Sequence, residues 1–205
     1  MKLLYQTHSP YARKVLVMAH EAGLADRLEV VHHETSPTRR NDDVFAENPL
    51  GKVPVLILDD GFQLFDSSVI CAYLDGLHDG RKLIPSNGRA RWSALRLEAL
   101  AQGMADAGIA VRWEVDRRPE ALRYPPLRDG MIEKLVASYD FIERDAALDG
   151  PADIGQIALA TALSWLEFRD LPSFRDGRPR LTEWFTAFAR RPSMLATPLS
   201  GDTHD

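Results

Sequence analysis

The chain has 205 residues, a formal net charge of −5, 45% hydrophobic and 27% charged residues, and a single cysteine. That is enough apolar mass for one large or two small domains, and the acidic balance speaks against a general nucleic-acid-binding or membrane-surface role. Cys71 alone cannot close an intrachain disulfide, and no apolar run approaches the length of a membrane span.

Lys2 to Gln6 reads as a short strand, and Met1 to His8 turns polar too soon for a signal peptide, so a cytoplasmic location is expected. Pro10 follows Ser9 and suits the first turn of a helix, where its missing N–H costs nothing. Ala12, Val15, Leu16 and Ala19 recur at helical spacing, and Gly23 supplies a stop. Leu28 to His33 is a second strand, so the pair forms a parallel βαβ unit. His32 and His33 point to opposite faces of that strand and make a poor metal site. Residues 42–47 read as a short irregular helix before the turn Asn48-Pro49-Leu50-Gly51. Val53 to Leu58 is a third strand, and Asp59-Asp60-Gly61 turns it into Phe62 to Phe65. Asp66 then caps a helix running to about Leu77. Cys71 lies in its apolar stretch and reads as a small buried hydrophobe.

His78 to Gly88, with Gly80 and Pro85, is the expected linker between residues 1–78 and 89–205. Beyond it the patterning is helical only. A long helix is expected from Arg89 to about Val115 and another from Met131 to Ala147. Asp153-Ile154-Gly155-Gln156 is a capping-box pattern opening a helix that is apolar almost all round. Leu181 to Ala189 closes the series, and the tail from Thr197 reads as disordered. The order β-α-β-(α)-β-β-α followed by helices matches a thioredoxin-like sheet domain joined to an all-helical domain.

This architecture resembles that of the cytosolic glutathione transferases, and three segments carry the resemblance. Ser9-Pro10-Tyr11-Ala12-Arg13-Lys14 looks like the family's serine-type active-site segment. Asn48 to Leu56 is similar to its Val-cis-Pro strand, and Phe65-Asp66-Ser67-Ser68 to its acid-Ser motif. Asp153 to Leu159 stands where family members carry their capping box. Residues 98–108 most resemble a bacterial YibF-like subgroup.

The resemblance implies glutathione as co-substrate, with no metal. A free thiol has a pKa of about 8.5 and reacts as the thiolate, so a protein must supply hydrogen bonds and positive potential to the sulfur. Ser9, at the start of a helix, would donate its O–H to the thiolate there. Read alone, Ser9 is equally a plain helix cap. Tyr5 is the rival donor, although its place in Leu3-Leu4-Tyr5 suits a packed strand residue. Thr7 and His8 lie beside Ser9. Val53, before a cis Pro54, would offer backbone N–H and C=O to the cysteinyl unit, against the plain alternative of a strand-opening proline. Ser67 and Asp66 would take the γ-glutamyl carboxylate and ammonium, and Lys52, helped by Arg39 or Arg40, the glycyl carboxylate. An electrophile pocket between the domains would draw on Tyr11, Met104, Ala107, Gly108, Val111 and Trp165, side chains whose spacing equally suits a core. A homodimer is implied as well; Val69, Tyr73 and the charged run Arg89, Arg91 and Arg96 suit such a contact and equally suit packing on the neighbouring domain and solvent.

Three readings follow from this pattern. They are a transferase joining glutathione to a small electrophile, a glutathione-dependent reductase of disulfides or peroxides, and a non-catalytic regulatory protein like the stringent starvation proteins. Ala12 stands where a second cysteine of a CxxC would, which excludes dithiol exchange.

Overall fold

The computed structural model describes residues 1–202 and divides into two compact units, which are treated separately. The first comprises residues 1–86 together with the chain from Pro192 onward; the second spans Asn87–Arg191.

In the first unit a four-stranded sheet runs in the order β2-β1-β3-β4. Strand β1 (Lys2–Tyr5) leads through helix α1 (Pro10–Glu21) to β2 (Glu29–His32), which pairs parallel to it with Leu3 opposite Val30. Helix α2 (Asp42–Glu47) is regular and is capped by Asn41, whose side chain accepts from Asp43 N and Val44 N. Strand β3 (Val55–Ile57) then pairs antiparallel with β1, and β4 (Gln63–Leu64) antiparallel with β3. Leu4, Val44, Val53 and Val55 form a buried cluster beneath the sheet, with Val31, Ile57 and Phe65 packed against it. Gly51 has φ +61°, and a Cβ there would lie 2.1 Å from the Phe45 ring, so this turn requires glycine. The Val53–Pro54 and Phe65–Asp66 peptide bonds are cis.

Helix α3 (Ser67–Gly76) packs against α1, with Cys71 fully buried. The expected linker belongs in part to this unit. The buried Asp75 carboxylate accepts from Leu83 N at 2.8 Å and Ile84 N at 3.2 Å, holding residues 82–84 to the end of α3.

The second unit is helical: α4 (Gly88–Arg112), α5 (Pro125–Asp145), α6 (Ile154–Phe168) and α7 (Pro179–Phe188). Helix α4 ends in a π-helical turn, Trp113–Arg117, where the buried Glu114 accepts from Tyr124 N at 2.7 Å and pairs with Arg118 Nε at 2.9 Å. Helix α5 begins six residues before the expected Met131, because Pro125 and Pro126 fit its first turn. Asp153 accepts from Gln156 N at 3.0 Å, the cap that its pattern predicts. Gly155 is what lets α6 approach α4: a Cβ there would lie 2.5 Å from the Ala94 carbonyl. Among the described residues no helix is long and apolar enough to cross a membrane.

The closing segment differs from the sequence reading, which placed residues 89–205 in one helical domain with a disordered end. Helix α8 (Pro192–Leu195) packs on α1 in the first unit. Arg13 Nη2 donates to Met194 O at 3.2 Å, Ser193 Oγ donates to Glu21, and Ser200 N donates to Thr7 O at 3.2 Å. Partners so far apart in sequence leave no local pattern to read. Residues 203–205 lie outside the described part.

Candidate functional site

The turn between β1 and α1 delivers Ser9. Its extended backbone (φ −85°, ψ 121°) is the conformation a residue before proline prefers. Ser9 Oγ accepts from Ala12 N at 3.2 Å, so the cap reading is correct. The hydroxyl proton is donated to no described group, which leaves a donor at the positive end of a twelve-residue helix.

Tyr5 is packed edge-to-face with His32, ring centroids 6.3 Å apart. Burial raises its phenol pKa, opposed by the charge on Arg13, so it stays protonated through the physiological range. Beside Ser9, His8 is buried, with its Nε2 3.9 Å from Glu34 Oε2. Glu34 also accepts from Gln6 Nε2 at 2.9 Å and is bonded to His32 Nε2 at 2.7 Å. Burial pushes the Glu34 carboxyl up, but the Gln6 and His32 hydrogen bonds and the charges of His8 and His32 outweigh it, and the net shift is down.

Val53 lies just outside the β-ladder, and its backbone enters no turn or cap hydrogen bond among the described residues. Lys52 is exposed, and its carbonyl accepts from Asn48 Nδ2 at 2.9 Å. Arg40 is committed elsewhere, 2.6 Å from Asp42 Oδ1 and stacked 3.8 Å over the Phe45 ring; Arg39 is exposed.

At the start of α3, Asp66 Oδ1 accepts from Ser68 N at 3.0 Å and Val69 N at 3.4 Å. Ser67 is 1% exposed, and its Oγ makes no hydrogen bond among the described residues. Buried hydroxyls are normally satisfied, so this one marks an incomplete arrangement.

Sequence reading assigned no role to Arg13 and Lys14, and both are buried. Burial lowers the Arg13 pKa to about 10, with Tyr5 opposing the shift. Lys14 Nζ donates to Ser68 Oγ at 3.0 Å. One signal was present in the sequence: cations in the first turns of a helix oppose its dipole, so two in succession need a reason beyond helix stability. The Glu34 cluster left no such signal.

The pocket candidates divide. Tyr11 is half-buried in the first unit. Met104, Ala107, Val111 and Trp165 are buried in the second, and a Cβ on Gly108 would lie 2.8 Å from the Trp165 ring. Their placement is that of closely packed side chains. Among the described residues no group of three or more His, Cys, Asp or Glu side chains is arranged to hold a metal ion.

Family models match both units: glutathione S-transferase N-terminal domain over residues 8–77, and glutathione S-transferase C-terminal domain over residues 125–187. The GST-like protein YibF of Escherichia coli K12 is 30% identical over 204 residues, covering 96% of this chain and 98% of its own. A crystal structure of a glutathione transferase family member from Pseudomonas fluorescens Pf-5 with bound glutathione is 40% identical, with a TM-score of 0.94 over 98% of this chain and 99% of that one. A structure from the same organism with bound S-(propanoic acid)-glutathione is also 40% identical, with a TM-score of 0.90 over 98% and 100%. With both halves matched and its length spanned by such relatives, the chain belongs to the glutathione S-transferase family.

Proposed function

We propose that this protein binds glutathione on its first unit, holds it as the thiolate and transfers it to a small, mostly apolar electrophile. The observation that carries this reading is the Ser9 hydroxyl, whose oxygen caps α1 while its proton is left to give. Donated to a ligand sulfur, that proton stabilises the anion and lowers the thiol pKa. Ser9 keeps its own proton and stays uncharged throughout. The thiolate lone pair forms the new carbon–sulfur bond while the leaving group, or the π electrons of an activated double bond, moves away. The thiol proton goes to solvent.

The rest of the peptide has matching groups. Val53 offers its backbone to the cysteinyl amide in strand-like pairing, the hydroxyl of Ser67 takes the γ-glutamyl carboxylate, and Asp66 takes the ammonium. Lys52, exposed beside Val53, is our candidate for the glycyl carboxylate. Tyr11, with surface to spare, is the pocket candidate we retain for the electrophile. A cytoplasmic homodimer completes the proposal, supported by Val69, which is 46% exposed on α3.

The test is turnover with reduced glutathione against aryl halides, enones and a mixed-disulfide substrate, reading products by mass. Thioether products that disappear in Ser9→Ala support the transferase. Products from the disulfide alone replace it with the reductase. No product from any class, with no thiolate formed on binding, overturns catalysis altogether.

A further inference from the structure

The segment that closes the chain belongs to the first unit and follows α1 backwards, from the end of the helix to the turn ahead of it. Ser193 Oγ donates to Glu21, the last residue of α1, and Met194 O accepts from Arg13 Nη2 near its start. Ser200 N then donates to Thr7 O at 3.2 Å. Between these anchors Thr197 is buried, and its Oγ1 donates to Ser193 O at 2.8 Å. The first two contacts fasten the segment to a regular helix. The third falls on the turn that delivers Ser9. Strand β1 ends at Tyr5 and α1 begins at Pro10, so residues 6–9 belong to neither element. Ser9 N donates to Gln6 O at 3.0 Å, and Thr7 O is taken by the closing segment. A turn keeps one conformation when its backbone groups are paired in this way. Gly201 follows with φ +88°, and a Cβ there would lie 3.3 Å from Thr7 Oγ1 and 3.9 Å from His8 Nδ1. The chain therefore crosses closely over the two residues before Ser9. Ser9 Oγ is committed to Ala12 N, so the direction of its remaining proton follows the backbone of this turn. That direction matters, because a hydrogen bond weakens steeply as it bends and a site must hold its groups to within about 0.5 Å.

We propose that residues 197–202 are a positioning strap for Ser9. Through Ser200 N–H on Thr7, and through Gly201 against Thr7 and His8, the strap sets the direction in which the Ser9 proton is given to the glutathione sulfur. This rests on the reading of Ser9 above and adds to it the element that aims the hydroxyl. The strap acts on the thiolate by way of Ser9, so it governs the pKa of the bound thiol and leaves the seating of the rest of the peptide alone.

The experiment is ultraviolet titration of the thiolate against pH on the complex with reduced glutathione, with calorimetric affinity and thermal unfolding alongside. Ser200→Pro removes the N–H donated to Thr7, and Ser200→Ala is its conservative counterpart, which keeps it. Gly201→Val puts a branched side chain where φ is +88° and Thr7 is close. Ser193→Ala cuts the strap from Glu21, at the other end of α1. Ser200→Pro and Gly201→Val should raise the pKa of the bound thiol by about one unit, a tenfold loss of thiolate below the wild-type bound pKa. In both, glutathione affinity measured below that pKa should stay within about twofold of the wild type. Ser200→Ala should titrate as the wild type does. Ser193→Ala should unfold at a lower temperature yet keep the wild-type titration. Two results overturn the strap and leave the glutathione site standing: a wild-type titration in Ser200→Pro, or a loss of thiolate in Ser193→Ala as large as that in Ser200→Pro. A wild type that forms no bound thiolate overturns the reading of Ser9 and the strap with it. If Ser200→Pro does not fold, the titrations of Gly201→Val and Ser193→Ala decide in the same way.

Discussion

Replacing Ser9 with alanine removes two things that the structure allows to be separated. The first is the cap: Oγ no longer accepts from Ala12 N at 3.2 Å, a loss of about 1 kcal/mol of stability. In a chain of 205 residues that lowers the melting temperature by about 2–4 °C. The second is the donor to the bound thiolate. Hydrogen bonds to charged groups contribute about 1.5–3 kcal/mol, and one pKa unit corresponds to about 1.4 kcal/mol. The pKa of bound glutathione should therefore rise by about one to two units, cutting its thiolate fraction by about ten- to hundredfold at pH values below the wild-type bound pKa. Below the bound pKa, where the neutral thiol is the form that binds, its affinity should hardly change; above it, affinity should fall along with the thiolate. The assay is the ultraviolet absorbance of the thiolate, titrated against pH on the protein–glutathione complex, with thermal unfolding alongside. Ser9→Gly is the control, because glycine at a cap position costs only a few tenths of a kcal/mol yet also lacks the hydroxyl. Both variants should lose the thiolate, and alanine alone should lose the cap. If the melting temperature fell while the thiolate titration stayed put, Ser9 would be a cap only, and Tyr5 would be the next donor to test.

At the start of α3, Ser67→Ala should weaken glutathione binding by about tenfold without shifting the thiolate titration, since the Ser67 Oγ makes no hydrogen bond among the described residues. Asp66→Ala should weaken binding and also lower thermal stability by about 1 kcal/mol, because Ser68 N and Val69 N lose their cap. Gly155→Ala should destabilise the second unit by about 1–3 kcal/mol, read as a shift in urea midpoint at constant slope. Its new Cβ would lie 2.5 Å from Ala94 O and 2.9 Å from Leu97 Cβ; a stabilised variant would contradict that close approach. The lowered pKa of Glu34 stabilises the fold above the unfolded-state pKa, and that contribution is lost as pH falls through the folded value. Urea unfolding of wild type and Glu34→Gln should therefore differ at neutral pH and converge in acid. A gap of constant size would show that the carboxylate charge is not what matters.

Much of the chain was legible because its signals are local. Ser9, Asp66 and Asp153 each accept a backbone N–H two or three residues ahead, and such caps can be read from a few adjacent letters. The βαβ unit and the hairpin were legible for the same reason, through period and turn chemistry. What escaped depends on partners distant in sequence. Arg13 meets Met194, Lys14 meets Ser68, and Glu34 gathers Gln6 and His8, none of which any periodicity encodes. The closing segment was misread for the same reason: the tail from Thr197 reads as disordered, yet Ser200 N donates to Thr7 O, and just before it Ser193 and Met194 bond to Glu21 and Arg13. In the second unit the apolar stripe at Met104, Ala107, Val111 and Trp165 located side chains that are buried, but periodicity does not distinguish a core face from a pocket wall.

The central claim is that the Ser9, Val53 and Ser67 groups form one glutathione site, and titration calorimetry tests it most directly. Reduced glutathione should bind at micromolar to low-millimolar affinity with one site per chain, more tightly than glutathione disulfide, with release of the thiol proton detectable as a buffer-dependent heat. Binding of neither form would contradict the account and turn attention to protein partners.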